Sequence, residues 1–289
     1  MRTRKESDLR APAMRTLAIS GHPVPALGQG TWNIGDSKAR RADEILALRR
    51  GIELGMTLID TAEMYGNGRS ESLVGEAVAG MRDRVYLVSK VLPSNASGTG
   101  TIRACEASLK RLRVETLDLY LLHWRGRYPV AETVCAFERL VEQGKIRAWG
   151  VSNFDLKDME QLFHTAGGRA CAANQVFYNP EHRGIEYDLL PWCIAHQVTV
   201  MAYSPLGQGK KLLSSSALES RAREHSVSPA QVALAWCLQR PVVAIPKAGS
   251  VKHAEENAAA ASLTLNERDL AKIDEAYPPP KRKQALDML

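Results

Sequence analysis

The sequence predicts an α/β protein with a single main domain, a (β/α)8 TIM barrel carrying an N-terminal β-hairpin and an extra C-terminal helix. Three observations carry that prediction. Strand-like and helix-like segments alternate with no long linker between them, the strand candidates number eight, and 289 residues suit one closed barrel. Ahead of the barrel, two short apolar stretches between residues 16 and 26 flank Ser20-Gly21-His22 and read as a hairpin placed to plug the barrel floor.

The strand candidates are 27–31, 57–61, 85–90, 116–122, 147–151, 171–177, 198–203 and 242–246. Between them the apolar residues repeat with helical spacing, as in Ile45, Leu48 and Ile52, then Cys105, Leu109 and Leu112, then Val134, Phe137 and Val141. Ser228-Pro229-Ala230-Gln231 combines an N-cap, a proline at the first helical position and a glutamine at the third, and Gly144 stands where a helix ending near Gln143 needs a left-handed residue. The last capped helix runs from Asn266 to Tyr277 and is stopped by Pro278-Pro279-Pro280.

Bulk composition sets outer limits. With 45% hydrophobic and 24% charged residues the chain is an ordinary soluble type, no apolar run is long enough to cross a bilayer, and no secretory h-region follows the basic start, so a cytoplasmic location is expected. Five scattered cysteines without a C-x-x-C pair suggest buried thiols and no metal site. The net charge of +6 sits mostly in two places. Residues 1–15 carry +3 and residues 281–289 carry +2, which leaves +1 for the body and argues against nucleic acid as a partner. Residues 1–13 form a basic extension ahead of Met14, an alternative start, and the domain spans 14–289. No membrane partner is expected, and the assembly is a monomer or a weak oligomer.

Four of the strand candidates end on a polar or titratable residue: Thr57 to Asp60, Val85 to Lys90, Leu117 to His123, and Ala148 to Asn153. In a barrel these carboxyl ends converge on one rim, so Asp60, Lys90 and His123 meet there with Tyr65. An acid, an ammonium, a phenol and an imidazole in one cleft suit proton transfer to a carbonyl oxygen. The phenol alone is a poor acid near neutrality; an adjacent ammonium lowers its pKa, and a carboxylate behind the lysine offsets burial of that charge. The loops after strands seven and eight, Ser204 to Lys211 and Lys247 to Ser250, are where such barrels hold phosphate, and Ser250 as a helix cap would leave free N–H groups beside Lys247. Gly28 and Gly30 are followed by Asn33 where a dinucleotide fingerprint needs its third glycine, so a Rossmann module is not expected.

These residues resemble the aldo-keto reductases. Gly55 to Ala62 with Tyr65, Glu71 and Gly75 is similar to that family's first signature, Gly150 to Phe154 to its second, and Ile245-Pro246-Lys247 with Glu256-Asn257 to its third. The resemblance runs from Gly28 to Asn257. It implies a tetrad of Asp60, Tyr65, Lys90 and His123, in which Tyr65 is the general acid, Lys90 tunes it, Asp60 pairs with Lys90, and His123 orients the carbonyl for hydride from a nicotinamide. It further implies that Ser152, Asn153 and Gln175 hold the carboxamide, that Tyr203 stacks on the nicotinamide, and that Lys247, Ser250, Glu256 and Asn257 take the adenosine end. The implied cofactor contacts also take in Gly30, Thr31, Trp32, Asp60, Ser204, Leu206, Gln208, Ala248, Gly249 and His253.

NADPH is the expected cofactor. His253 stands where many members have an arginine, and Ala248 where they have serine or threonine, which weakens discrimination between the two cofactors; Lys247 and Ser250 remain, so NADH is the less favoured alternative. Trp32 and Trp124, with Met64, are candidates for the pocket wall around Tyr65 and His123, and the shortness of the stretch from Pro278 to Leu289 suggests an open site for small carbonyls. Leu121 to Trp124, Ile185 to Cys193 and Ala285 to Asp287 are similar to a bacterial branch of methylglyoxal reductases, which implies small aldehydes and 2-oxoaldehydes as substrates. Two rival readings are a Schiff-base aldolase acting through Lys90 and a nicotinamide-binding redox-sensing subunit with slow turnover.

Overall fold

The computed structural model describes residues 14–209 and 211–289; the proposed basic extension, residues 1–13, and Lys210 lie outside them. Strands β1 (Thr16–Ile19) and β2 (His22–Pro25) pair antiparallel through the expected turn, where Ser20 and Gly21 both take positive φ. Eight parallel strands follow: β3 (Gln29–Gly30), β4 (Leu58–Asp60), β5 (Tyr86–Val91), β6 (Leu117–Leu122), β7 (Ile146–Ser152), β8 (Ala173–Phe177), β9 (Thr199–Tyr203) and β10 (Val242–Ile245). The seam between β3 and β10 is closed by Gly28 N–H to the Ala244 carbonyl, Ala244 N–H to Ala26, and Gly30 N–H to Pro246, at 2.8, 2.8 and 2.9 Å. That seam depends on Gly30, since a Cβ there would stand 2.6 Å from the Ile245 carbonyl oxygen.

The crossovers carry α1 (Arg41–Glu53), α2 (Arg69–Ala77), α3 (Gly98–Leu112), α4 (Val130–Glu142), α5 (Leu156–Phe163) and α6 (Leu189–Ala195). After β9 come α7 (Ser216–His225) and α8 (Pro229–Leu238), and after β10 come α9 (Val251–Ala259) and α10 (Glu267–Ala276). The capping boxes expected at Ser228 and Gln231 are formed, Asn266 and Asp269 form another, and Gly144 takes φ 69°. Two details depart from the sequence reading. Helix α7 is an insertion that it did not mark, and in α4 the buried series is Val134, Phe137 and Leu140, with Val141 left exposed.

Strand alternation divides the core in two. Outward side chains such as Ile59, Leu87, Tyr120, Trp149 and Val176 pack under the helices. Inward ones, Leu58, Tyr86, Val88, Leu119, Leu121, Ala148, Met201, Val243 and Ile245, fill the barrel, and Ile19 and Val24 of the hairpin join them at the floor. The next inward positions toward the carboxyl ends are Asp60, Lys90, His123, Ser152, Gln175 and Tyr203. One periodicity therefore supplies both the plug and the site. Among the described residues, no helix is long and apolar enough to cross a membrane.

Candidate active site

Lys90 is fully buried at the top of β5, where an unpaired ammonium would be very costly. All three of its N–H donors find acceptors: Asp60 Oδ2 at 2.7 Å, the Thr61 carbonyl at 2.8 Å and the Tyr65 hydroxyl at 3.1 Å. The other oxygen of Asp60 accepts from Gln175 Nε2 at 2.7 Å. Three strands thus meet in one chain of hydrogen bonds that ends on the phenol. Although burial works to discharge Lys90, the Asp60 carboxylate and the phenol prevail and hold its pKa above the usual lysine value.

Tyr65 reaches this cluster from the loop after β4. Gly66, Asn67 and Gly68 take successive positive φ values of 56°, 54° and 83°, which turns the chain back over the rim before α2 begins. Glycine at 68 also makes room for Arg111, whose Cδ would lie 2.6 Å from an added Cβ. The Arg111 guanidinium donates to Glu71 Oε2 at 2.5 Å, and Glu71 Oε1 accepts from the Ser89 hydroxyl at 2.6 Å, so the start of α2 is tied to the strand that bears Lys90. Glu63 accepts from Leu92 N–H and Asn95 Nδ2 and binds the same loop to the segment after β5.

The phenol's pKa lies above the ordinary tyrosine value. Burial raises it, the Lys90 ammonium pulls it down, and Asp60 pushes it up again. The expected lowering by Lys90 is present, but burial exceeds it. Tyr65 is therefore held as a neutral O–H donor. The His123 ring stands edge-on to Tyr65, 5.8 Å between centroids, and lies 4.8 Å from the Trp124 ring. Burial, aided by Lys90, pushes the imidazole pKa down to about 2, so His123 is neutral, and among the described residues its Nδ1 has no hydrogen-bond partner.

Beside the tetrad lies a second polar group. Ser152 Oγ donates to the Gln175 carbonyl at 2.8 Å, Asn153 Nδ2 donates to the His123 carbonyl at 3.1 Å, and the Tyr203 hydroxyl donates to Asn153 Oδ1 at 2.9 Å. Asn153 holds φ 60°, which turns its amide back to the rim. The Tyr203 ring lies nearly parallel to that of Phe177, 5.5 Å between centroids and 4° between planes.

The remaining expected contacts are spread along the rim. Thr31 is buried and its hydroxyl donates to the Asp60 carbonyl, while Trp32 stays exposed. The Ser204 carbonyl accepts from Asn179 Nδ2, Leu206 packs on the outer core, and Gln208 takes φ 60°. Beyond β10, Ala248 is buried, Lys247 Nζ curls to within 3.0 Å of where a Cβ on Gly249 would sit, and Ser250 caps α9 by accepting from the His253 N–H. His253 is exposed, Glu256 lies 3.8 Å from Lys252, and Asn257 is buried. Among the described residues, no hydrogen bond or ion pair joins the side chains beyond β10, Lys247 to Asn257, to Asp60 or Lys90. Sequence reasoning missed the Thr61 carbonyl, the Ser89–Glu71–Arg111 brace and Phe177. The inward parity of Phe177, two residues past Gln175 on β8, was the available signal for the last.

Residues 26–278 match the model of the aldo/keto reductase family. The chain is 54% identical over 271 residues to the methylglyoxal reductase YeaE of Escherichia coli, covering 92% of this chain and 95% of that protein. It is 35% identical to the glyoxal reductase of Bacillus subtilis, covering 88% and 90% of the two. Its structure superposes with a TM-score of 0.94 on an aldo-keto reductase from Klebsiella pneumoniae in complex with NADPH, at 50% identity, covering 96% of this chain and all of the other. A chain that the family matches over most of its length, and that shares more than half its residues with one member, belongs with them: this protein is an oxidoreductase of the aldo/keto reductase family.

Proposed function

We propose that this enzyme reduces small aldehydes and 2-oxoaldehydes such as methylglyoxal to alcohols, with NADPH as the electron donor and Tyr65 as the general acid. The observation that carries this reading is the single chain of hydrogen bonds from Gln175 through Asp60 and Lys90 to the Tyr65 hydroxyl. Relatives named as methylglyoxal and glyoxal reductases support the substrate class.

The donor set fits a nicotinamide dinucleotide. Ser152, Asn153 and Gln175 offer hydroxyl and amide groups suited to a carboxamide, and the Tyr203 ring beside them offers a flat face. Lys247, folded over side-chain-free Gly249 ahead of the capped α9, offers an ammonium and helix N–H groups suited to phosphate. The bound cofactor supplies the hydride. The protein's own part is the proton. A carbonyl oxygen seated between Tyr65 and His123 accepts the Tyr65 proton as its carbon is reduced, and the resulting phenolate is stabilised by Lys90 until water restores the proton. Neutral His123 orients that oxygen without competing as an acid. NADPH is favoured over NADH because Lys247 and Ser250 remain, although exposed His253 stands where many members have an arginine.

The test is NADPH oxidation followed by absorbance across an aldehyde panel that includes methylglyoxal, repeated with Tyr65→Phe. The variant is expected to bind cofactor normally and to lose about a hundredfold or more in kcat. Unchanged turnover would move the proton source elsewhere. Lys90, held as a paired ammonium, is a poor imine former, so borohydride trapping of a substrate adduct on Lys90 would favour the aldolase reading instead.

A further inference from the structure

We infer that the segment after α10, Lys281 to Leu289, is a working part of the nicotinamide platform: it braces the stack of rings behind Tyr203 and thereby sets cofactor affinity. The inference rests on the cofactor reading above and adds residues outside the tetrad and outside the carboxamide group.

The segment does not project away from the barrel. Lys283 Nζ bridges two carboxylates, Asp155 Oδ1 at 2.5 Å and Asp188 Oδ2 at 3.1 Å. Those two residues cap α5 and α6, the helices that follow β7 and β8, so one side chain ties together two loops of the active-site rim. Gln284 passes Gly184 so closely that its Oε1 lies 3.3 Å from where a Cβ would stand, and Leu286 packs against the outer core. Asp287 Oδ2 lies 2.9 Å from His182 Nδ1.

His182 links the segment to the site. Its ring stacks on Phe177, 4.1 Å between centroids and 27° between planes, and Phe177 in turn lies parallel to Tyr203. The Tyr203 hydroxyl donates to Asn153, whose amide holds Ser152 and the His123 carbonyl. The loop bearing His182 is held from its other side as well, since Arg183 donates to Asp274 and to the Tyr277 carbonyl at the end of α10. Contacts therefore run unbroken from Asp287 to the face on which the nicotinamide would lie.

A tyrosine used as a stacking surface contributes in proportion to how rigidly it is held before the ligand arrives. Each anchor of the segment is partly exposed and individually weak, so the brace works through several at once. The experiment measures the Kd for NADPH by quenching of protein fluorescence, and kcat and KM separately, on the full chain, on Asp287→Asn, on Lys283→Met and on a chain ending at Arg282. Asp287→Asn and Lys283→Met should each raise the Kd about two- to fivefold and the shortened chain about tenfold, with kcat at saturating NADPH kept. Asp287→Glu should restore most of the affinity. If the shortened chain fails to fold, the two point variants decide.

Wild-type Kd in Asp287→Asn, Lys283→Met and the shortened chain alike would overturn the inference while leaving the cofactor reading intact. Lower melting temperatures with unchanged Kd would do the same, by reducing the segment to a structural tail. A full-length chain that binds no NADPH would overturn both.

Discussion

The two ends of the barrel are built from the same strands on the same alternation, yet they bury charge to different ends. Near the floor, Asp118 of β6 is buried, forms ion pairs with Arg82 at 2.8 Å and Arg147 at 3.0 Å, and accepts from the Leu87 N–H at 2.8 Å. Both arginines reach solvent, and every bond of the cluster is spent on holding strands together. At the rim, Asp60 and Lys90 form an equally close pair, but both are sealed from water, and the last donor of the ammonium points at a phenol that faces the cleft. A buried ion pair is therefore not functional by itself. What distinguishes the rim is that the pair is hydrogen-bonded to a third group, the Tyr65 phenol, whose hydroxyl faces the cleft.

Breaking the rim pair should give the largest effect. Lys90→Met leaves Asp60 buried with Gln175 as its remaining side-chain donor and leaves Tyr65 without the ammonium that donates to its hydroxyl. The expected loss is about a thousandfold in kcat together with about 3 kcal/mol of stability, measured by steady-state kinetics and urea denaturation. A variant retaining more than a tenth of wild-type kcat would erase the distinction between the two ends.

The floor should respond in the opposite manner. Ile19, on the hairpin, is fully buried against the inner core, and Ile19→Ala removes three carbons from a site with little freedom to collapse. A loss of about 3 kcal/mol in unfolding free energy is expected, with kcat per folded molecule unchanged. A fall in kcat would mean that the plug and the rim are mechanically coupled.

The same contrast explains what was legible in the sequence. Strand ends and their period of two are local, so the eight strands, the hairpin and the convergence of Asp60, Lys90 and His123 could be read from apolar runs and the residue that ends each. Helix α7 could not, because Ser216 to His225 is largely polar and buries only Leu218, Arg221 and Ala222. Arg221 and His225 of that helix earn their place through Asp269 on α10, forty-odd residues away, a contact that no local pattern announces. The direction of the Tyr65 pKa was misjudged for a related reason: the ammonium beside it was visible in the chain, while the burial that outweighs it comes from several elements at once. The bracing of Phe177 by His182 and Asp287 is longer in range still.

The smallest effect sharpens the comparison, because it separates charge that the rim uses from charge that it excludes. Free histidine titrates at 6.5, whereas His123 in the fold titrates at about 2 because burial and the Lys90 ammonium oppose a second cation. A folded-state pKa below the unfolded one means that the unfolded chain takes up the proton first. The stability that His123 contributes is therefore complete above pH 6.5 and declines as pH falls toward the folded value. His123→Gln removes the titration and keeps a polar side chain. Between pH 6.5 and 5, before the carboxylates dominate, the wild type should lose about 1.6 kcal/mol more than the variant, as read from urea midpoints at each pH. The other six histidines cancel in that difference. Parallel curves would show that the imidazole accepts a proton inside the fold, and His123 would then have to be treated as an acid in competition with Tyr65.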